Sequence, residues 1–336
     1  MIADSMFPYV VADVGGTNGR FGLVTHRDGV SGHIDVQQQQ VFSCADFDQF
    51  EAMLALYMAS LDGVKPLAAC IAIAGPVIGD HFRMTNLSWD FSIEDVRKKL
   101  GLKRLVLIND FAALAYSALY TTGDALSTLQ VGESVPNAPR VVVGPGTGLG
   151  VAGLVRVGNR WFPISGEGGH MTFAPASQKQ LEIRKVIEPT DKHISAERFI
   201  CGKGLVNLYR ALTVINGVEL EPLEPDEISR RALEKSDPTC EEALSLFFEM
   251  LGSAAGNVCM AFGAWGGVYL GGGILPQVES ELKRSGLLAS FADKGRIGLL
   301  LQQVPVYLMK GDNPALSGAA HWLYDTQRAE ETNHSE

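Results

Sequence analysis

Short runs of apolar and often β-branched residues alternate along the chain with longer segments whose apolar positions recur at helical spacing. The apolar runs predict buried strands at Tyr9–Val14, Leu67–Ala74, Arg104–Ile108, Arg140–Val143 and Val268–Leu270. The amphipathic segments predict helices at Asp46–Ser60, Ile93–Leu100, Phe111–Leu119, Ala196–Leu212 and Glu241–Phe262. Ser92, followed three positions later by Asp95, is typical of a helix N-cap. Because strands and helices alternate, the pattern predicts an α/β fold.

An internal repeat is visible within this pattern. Val10–Val24 reads VVADVGGTNGRFGLV, and Val141–Val155 reads VVVGPGTGLGVAGLV. A gapless alignment matches the leading Val-Val, two turn glycines and the closing Gly-Leu-Val. Each segment predicts a strand, a glycine-rich turn and a second strand, so the pair indicates two structurally similar lobes facing one another. Two unrelated hairpins that share common strand residues are the alternative.

Composition narrows the class of protein. The 336 residues are long enough for two domains, and a net charge of −10 without a Lys/Arg stripe predicts no nucleic-acid partner. The cysteines lack the spacing of a disulfide framework or a zinc site, so we interpret them as buried thiols. The N-terminus shows no signal-peptide pattern and no apolar run reaches the ~18 residues of a membrane span. We therefore expect a cytoplasmic protein with no membrane partner.

The glycine turns match neither of the common nucleotide-binding motifs. A P-loop requires Lys followed by Ser or Thr, and a dinucleotide fingerprint opens a helix, whereas Gly144–Gly150 leads into a predicted strand. Glycine permits positive φ and lets backbone N–H groups approach a phosphate, and Thr17 and Thr147 add hydroxyl donors. Together with a third cluster, Gly271–Gly273, the two turns favour nucleotide binding over ordinary hairpins.

Polar side chains lie at the ends of two of the predicted strands. Asp13 and the pair Asn109-Asp110 lie at strand ends, which in α/β folds open toward the ligand. A carboxylate beside phosphates requires an intervening cation, so Asp13 is a candidate for contact with Mg²⁺ or its waters. Asp13 can also cap its own turn, and Asp110 can cap the helix at Phe111. The local sequence leaves both alternatives open.

Further polar residues suit a polyhydroxylated ligand. The segment Gly166–His170 places Glu167 and His170 among three glycines, which indicates a close ligand rather than packing, with a surface turn as the alternative. Glu197 lies on a predicted helix, where a solvated charge is the ordinary interpretation. Thr85-Asn86 and Ala74–Pro76 add amide and backbone groups. Sugar hydroxyls both donate and accept, so carboxylates, amides and an imidazole suit such a ligand.

With these residues the chain resembles the bacterial glucokinase family, within the superfamily of hexokinases, actin and chaperone ATPases. The resemblance covers Tyr9 to about Leu323. The motifs that carry it, in order, are ADVGGTNGRFGL (12–23), AIAGPV (72–77), MTNLSWDFS (84–92), INDFAA (108–113), GPGTGLGVA (144–152), GEGGHMTFAP (166–175), SAERFICGKGLVNLYRA (195–211), GGVYLGGGILP (266–276) and GDNPALSGAA (311–320).

The resemblance implies two actin-like (ribonuclease H-like) α/β lobes with a ligand cleft between them, in a homodimer. We expect residues 1–119 with 312–336 to form a small domain and residues 120–311 a large one. The catalytic base of the family matches Asp110. Its glucose-contacting positions match Asn86, Asn109, Asp110, Glu167, His170 and Glu197. Its ATP-binding positions match Ala12, Asp13, Val14, Gly15, Gly16, Thr17, Gly146, Thr147, Gly148, Gly272 and Gly273.

The implied reaction transfers the γ-phosphoryl group of ATP to the 6-hydroxyl of D-glucose. Asp110 accepts the hydroxyl proton, the glycine turns hold the phosphates, and Mg²⁺ accompanies ATP with no protein ligand expected except Asp13 through water. Three alternative functions stay open: a non-catalytic sugar sensor, an actin-like or chaperone-type ATPase, and a kinase for another hexose or an N-acetylated sugar.

The sequence departs from the family pattern at two positions. Ala12 stands where the family often has Gly, and Cys201 stands where it usually has Ser. The related repressor–kinase family carries a cysteine-rich zinc motif after its GEGGH-like segment, whereas Met171–Pro175 contains no cysteine. We therefore expect neither a structural zinc nor an N-terminal helix-turn-helix.

Overall fold

The computed structural model of the chain describes residues 7–84 and 87–333. The strands in this part of the chain are β1 (Tyr9–Val14), β2 (Asn18–Val24), β3 (Gln37–Ser43), β4 (Ala68–Ile73), β5 (His81–Arg83), β6 (Asp90–Ser92), β7 (Arg104–Asn109), β8 (Leu126–Gln130), β9 (Arg140–Pro145), β10 (Leu149–Val157), β11 (Arg160–Gly166), β12 (Val268–Leu270) and β13 (Val306–Met309). The helices are α1 (Phe50–Ala59), α2 (Ile93–Lys99), α3 (Asp110–Ser117), α4 (Gln178–Ile187), α5 (Gly202–Asn216), α6 (Pro225–Glu234), α7 (Pro238–Phe262), α8 (Glu279–Arg284), α9 (Leu287–Ala292), α10 (Gly298–Leu301) and α11 (Pro314–Asn333). Short 3₁₀ turns lie between several of these elements.

The chain divides into two compact units. The first runs to Thr122 and also includes Trp161–Ser165 and the segment from Gly311 onward, while the second comprises Gly123–Arg160 and Gly166–Lys310. The predicted domains, 1–119 with 312–336 and 120–311, place their boundaries close to these breaks. They differ in keeping Trp161–Ser165 within the larger domain.

The first unit is built on a five-stranded sheet in the order β3-β2-β1-β4-β7. β1 and β2 form an antiparallel hairpin, whereas β1, β4 and β7 run parallel to one another. Side chains alternate along β1, so Val10, Ala12 and Val14 pack in the cluster that includes α1 and α2. Tyr9 and Val11 pack on the other face, in the cluster that includes α3 and α11. The centre of the sheet is therefore buried on both faces, which is why β1 and β4 read as continuous apolar runs.

The second unit is built on a six-stranded sheet in the order β11-β10-β9-β12-β13-β8. β9 and β10 form an antiparallel hairpin, and β9, β12 and β13 run parallel. Val141 and Val143 of β9 and Leu270 of β12 pack in one core with α5 and α7. The two sheets therefore share a topology. In each, the first strand of an antiparallel hairpin pairs on its other side with a parallel strand, and a second parallel strand pairs with that one. This shared strand order favours an internal duplication rather than the alternative of two unrelated hairpins.

α7 has the composition of a buried helix. Its N-cap Asp237 accepts hydrogen bonds from the backbone N–H of Thr239 (2.8 Å) and Cys240 (3.2 Å), and Gly263 ends it at φ 59°. Among the described residues it is the one helix long and apolar enough to cross a membrane, but 67% of its apolar window is buried inside the protein. We therefore assign α7 to the core of the second unit.

Most predicted elements occur where they were expected, with two differences. Ser92 caps α2 by accepting the backbone N–H of Asp95 at 3.1 Å, as predicted. The predicted helix 46–60 begins only at Phe50, after a 3₁₀ turn at Cys44–Asp46. The predicted helix 196–212 is wrong in its first part, because Cys201 is extended and caps α5. Ala196–Arg198 forms a separate 3₁₀ turn.

Candidate functional site

The first glycine turn, Gly15–Thr17, joins β1 to β2. The backbone N–H of Gly15 donates to the carbonyl of Asn18 (2.9 Å), and the carbonyl of Thr17 accepts from the N–H of Cys44 (2.8 Å). Within the described part of the chain, no protein atom accepts from the backbone N–H of Gly16 or Thr17, and both residues are exposed. The turn thus offers two adjacent donors to an anion.

The second glycine turn, Gly146–Gly148, joins β9 to β10 in the same way. The N–H of Gly146 donates to the carbonyl of Gly148 (2.8 Å), and the carbonyl of Gly146 accepts from Gly202 (3.0 Å). The N–H groups of Thr147 and Gly148 have no protein acceptor among the described residues. In the sequence repeat these two positions align with Gly16 and Thr17, so both turns present the same pair of donors.

The third glycine cluster lies beside the second turn. The N–H of Gly271 donates to the carbonyl of Val143 at the end of β9 (3.0 Å). Gly272 has φ +86°, and a Cβ there would overlap the carbonyl oxygen of Pro145. Glycine at 272 is therefore required by both the backbone conformation and this close approach. Gly273 follows it at the exposed surface.

Asp13 lies half-buried near the end of β1, between the buried Ala12 and Val14. In the β1–β2 hairpin it is paired with Arg20. Burial raises the pKa of the Asp13 carboxyl above its ordinary value, and the positive charge of Arg20 opposes this only in part. Asp13 is thus a carboxylate whose charge is incompletely compensated by the protein, as expected of a group that faces a cation.

The pair Asn109-Asp110 sits at the junction of β7 and α3. Asn109 is the N-cap, because its Oδ1 accepts the backbone N–H of Ala112 at 3.0 Å, so Asp110 is not the capping residue. The Nδ2 of Asn109 donates to the carbonyl of Gly75 (3.1 Å) and to Oδ1 of Asp110 (3.0 Å). Oδ1 of Asp110 also accepts the N–H of Phe111 at 2.9 Å. These bonds set the rotamer of the Asp110 carboxylate.

Sheet register brings Asp13 and Asp110 to the same edge of the first unit. Val14 is paired with Ile73 of β4, and Ile73 is paired with Asn109 of β7. All three strands are parallel, so their carboxyl ends meet at one edge. Because one strand separates β1 from β7, their backbones lie about 10 Å apart. The first glycine turn and the candidate base therefore border the same part of the unit.

The GEGGH segment owes two of its glycines to packing. A Cβ on Gly168 would lie 2.9 Å from the side chain of Val151. A Cβ on Gly169 would overlap the carbonyl oxygen of Leu149. The interpretation that these glycines signal a close ligand rather than packing is therefore corrected: Gly168 and Gly169 are glycines because they pack against β10. At Gly166 an added Cβ would meet nothing within 4 Å.

Packing on β10 leaves two polar side chains of this segment exposed. Oε2 of Glu167 lies 4.0 Å from Nε2 of His170, and about three-fifths of each side chain is exposed (60% and 61%). The N–H of His170 donates to the carbonyl of Glu167 at 3.0 Å, which holds the pair in one 3₁₀ turn. An acceptor and an imidazole thus stand side by side on a rigid support.

Glu197 belongs to the 3₁₀ turn Ala196–Arg198 rather than to a helix. The turn is attached to the GEGGH segment, since the N–H of Ala196 donates to the carbonyl of Met171 at 2.9 Å. Oε2 of Glu197 accepts the backbone N–H of Leu149 at 2.8 Å, directly after the second glycine turn. The interpretation of Glu197 as a solvated helix charge is therefore wrong. The predicted contact residue Asn86 lies outside the described residues.

The comparison with family models decides the family. The model for glucokinase matches residues 10–326, which is nearly the whole chain and includes every candidate residue above. The chain belongs to the glucokinase family. Its fold is the actin-like α/β fold of these kinases, as the family resemblance implied.

Individual glucokinases are similar over their full length. The glucokinase of Saccharophagus degradans is 42% identical over 318 residues, which cover 95% of this chain and 98% of that protein. The crystal structure of a glucokinase from an Antarctic psychrotroph has a TM-score of 0.85 and 36% identity, covering 95% of this chain and 99% of the other. A glucokinase of the ROK family from Streptomyces griseus, solved with glucose and AMPPNP, shares the fold with a TM-score of 0.64 at 17% identity, covering 94% and 98%.

One departure from the glucokinase pattern has a structural explanation. The sulfur of Cys201, the N-cap of α5, accepts the backbone N–H of Gly204 at 3.3 Å. A serine hydroxyl fills the same role at helix N-termini. Cys201 therefore does the work of the usual serine.

Two contacts of this candidate site were missed from the sequence. The motif around Gly148 located the turn, but nothing in the sequence indicated that Leu149 donates to Glu197. The contact of Cys44 with the first turn was missed too, although its N–H fixes Thr17 and its sulfur lies 3.5 Å from the Gly15 carbonyl. Both contacts join residues far apart in the chain, and no local pattern reports them.

Proposed function

We propose that this protein is an ATP-dependent glucokinase, which transfers the γ-phosphoryl group of ATP to the 6-hydroxyl of D-glucose and releases glucose 6-phosphate and ADP. Family membership supports this reaction class. The observation that carries the proposal is the placement of Asp110. Its carboxylate is oriented by Asn109 and Phe111 at the sheet edge where the first glycine turn also lies.

Asp110 is the proposed general base. The 6-hydroxyl loses its proton to the carboxylate as the oxygen attacks the γ-phosphorus, and the bond from phosphorus to the bridging oxygen of ADP breaks. The pair of N–H donors in each glycine turn is proposed to bind phosphate oxygens. Positioning of the two reactants and stabilisation of the developing charge supply most of the rate enhancement in such transfers.

The sugar is proposed to bind through Asn86, Asn109, Glu167, His170 and Glu197. Exposed carboxylate and imidazole groups suit hydroxyls, which both donate and accept. Asn109 uses both of its N–H donors within the protein, so its remaining contact with a sugar is through Oδ1 as an acceptor. Its larger contribution is the orientation of Asp110.

Nucleotide contacts are proposed for the first turn with its preceding strand (Ala12–Thr17), the second turn (Gly146–Gly148) and Gly272-Gly273 on the adenosine side. Mg²⁺ bound with ATP would neutralise charge on the phosphate oxygens. Among the described residues no group of three His, Cys, Asp or Glu side chains is placed to hold a metal. The half-buried, incompletely compensated Asp13 fits an ion that is carried mainly by the nucleotide and reached through water.

The test of this proposal is a coupled ADP-release assay on the wild-type protein. We expect turnover with glucose at least about tenfold faster than with mannose, galactose or N-acetylglucosamine, because an inverted or substituted hydroxyl leaves a side chain of the sugar site unpaired in the complex. The same assay compares ATP, GTP and polyphosphate as phosphoryl donors. ADP release without any sugar would indicate an ATPase, and faster turnover with another sugar would indicate a different kinase. Glucose binding without turnover would indicate a sensor. Each of these results contradicts the proposal.

We further propose a cytoplasmic homodimer, on the family resemblance. Light scattering coupled to size-exclusion chromatography measures the mass directly. A mass near the 36.1 kDa of one chain contradicts the dimer.

A further inference from the structure

One carboxylate touches both parts of the proposed machinery in the second unit. Glu197 is a proposed sugar ligand, yet its Oε2 is already engaged by the backbone N–H of Leu149 at 2.8 Å. Leu149 directly follows the second glycine turn, where the N–H groups of Thr147 and Gly148 are the proposed phosphate donors. The same side chain therefore contacts the residue after the proposed phosphate turn and is itself a proposed sugar ligand.

Steric contact reinforces this link. A Cβ on Gly148 would overlap Oε2 of Glu197 and lie 3.3 Å from its Cδ carbon. A Cβ on Gly146, two positions earlier in the turn, would meet nothing within 4 Å. The carboxylate thus occupies the volume above Gly148, so a side chain at 148 would have to displace the flexible end of Glu197.

Backbone bonds also hold the turn, and Glu197 adds a charged contact at its end. The Gly146 carbonyl accepts from the N–H of Gly202, and the Gly146 N–H donates to the carbonyl of Gly148, so the second bond joins the two ends of the turn. Leu149, directly after the turn, is paired with Pro145 in the β9–β10 ladder, and its N–H donates to Oε2 of Glu197. Charge-assisted bonds of this kind are stronger than neutral ones. Displacing Glu197 would therefore remove the charged contact at the end of the turn, while the β9–β10 ladder stays in place.

We propose that Glu197 is a positioning residue for the second phosphate turn as well as a sugar ligand, and that it couples the two binding events; this rests on the proposed function. A carboxylate has about four acceptor positions, so Oε2 can hold Leu149 while Oε1 accepts a sugar hydroxyl. A bound hexose then fixes the carboxylate, and the fixed carboxylate fixes the turn. By linkage, the nucleotide strengthens sugar binding by the same factor.

The first test changes a residue of the turn and measures the binding of the sugar. We compare Gly148→Ala with the matched control Gly146→Ala, and measure D-glucose binding by calorimetry without nucleotide. Gly148→Ala displaces the Glu197 carboxylate and should weaken glucose binding about tenfold, whereas Gly146→Ala should change it less than about twofold. Equal glucose affinities of the two variants would overturn the coupling, because the turn would then have no connection to the sugar ligand.

The second test replaces the Glu197 carboxylate and measures the binding of the nucleotide. We compare Glu197→Ala, Glu197→Gln and the control Glu167→Ala for binding of Mg²⁺–AMPPNP without sugar. Glu197→Ala should weaken binding about fivefold, whereas Glu197→Gln, which keeps an acceptor for Leu149, and Glu167→Ala should stay within about twofold of wild type. An unchanged affinity in folded Glu197→Ala overturns the proposal.

The failure of the proposed glucokinase activity and the failure of the coupling through Glu197 give different results. Should Gly148→Ala fail to fold, the Glu197 series decides the question alone, since Glu197→Gln preserves the shape of the site. Wild-type protein that does not phosphorylate glucose contradicts the proposed function. Wild-type activity together with glucose affinities that are equal in Gly148→Ala and Gly146→Ala contradicts only the coupling.

Discussion

The Nδ2 of Asn109 donates a hydrogen bond of 3.0 Å to Oδ1 of Asp110, its neighbour in the chain. The same amide caps α3 through Oδ1 and reaches the carbonyl of Gly75. One side chain therefore starts the helix and orients the proposed base. Because a cap requires only the acceptor and the orientation requires the donor, the two roles are separable by substitution.

Asp110→Asn tests the base directly. The amide keeps the size of the side chain and an acceptor for the Phe111 N–H, but it does not accept a proton at neutral pH. We expect kcat to fall by about 10²–10⁴, the usual contribution of general base catalysis, with the melting temperature nearly unchanged. Steady-state kinetics and a thermal melt on the same preparation provide the measurement. Near-normal kcat in the folded variant would remove Asp110 from this role.

Asn109→Asp and Asn109→Ala separate capping from orientation. Asn109→Ala removes both and should lose about 1 kcal/mol of unfolding free energy in addition to activity. Asn109→Asp keeps the cap, removes the donors and places a second negative charge beside Asp110. Like charges disfavour ionisation, so the acidic limb of the kcat/KM profile should move to higher pH. A pH profile identical to wild type in Asn109→Asp would contradict the positioning role.

Asp13→Asn should trade activity for stability. Burial raises the pKa of Asp13 in the folded protein, so the ionised carboxylate destabilises the fold at pH values above that pKa. The stability with Asp13 is therefore greatest below its ordinary pKa of about 4 and falls as pH rises through the folded-state value. Asp13→Asn should melt higher than wild type at pH 7, and this difference should shrink toward pH 4.5. Turnover with Mg²⁺–ATP should fall in the same variant. A lower melting temperature at pH 7 would contradict this account of Asp13.

Gly169→Ala tests the support of the GEGGH segment. The added methyl overlaps the carbonyl oxygen of Leu149, so the segment must shift and carry His170 with it. We expect a loss of about 1–3 kcal/mol in unfolding free energy and a raised KM for glucose. The matched control for stability is Gly166→Ala, where the methyl meets nothing within 4 Å. Equal denaturation midpoints for the two variants would show that the contact with β10 is not restrictive.

All five cysteines should be unreactive in the native protein. Each is a buried free thiol. Burial raises the pKa of all five, for Cys70, Cys240 and Cys259 to about 12, which leaves almost no thiolate at pH 8. A chromogenic disulfide reagent should detect no fast thiol in buffer and five in denaturant. A thiol that reacts in buffer at the rate of free cysteine would contradict this expectation.

Much of the molecule could be predicted from local sequence. β1 and β12 occur at the predicted residues because strands buried on both faces are continuous apolar runs. The repeat with its glycines predicted two equivalent hairpins, because only particular residues permit such turns. Ser92 was recognised as a cap since capping acts over three positions. The ordered motifs identified the family for the same reason: each is a local run of residues.

Other features were decided only by tertiary structure. The orientation of the Asn109 amide depends in part on the Gly75 carbonyl, which belongs to another strand connection and accepts a hydrogen bond from Nδ2. Gly168 and Gly169 are required by β10, and Glu197 is held by Leu149, 48 positions away in the chain. Hydrophobic periodicity and turn chemistry are local and can be read along the chain. Steric contacts and hydrogen bonds between distant segments exist only once the sheets have brought those segments together.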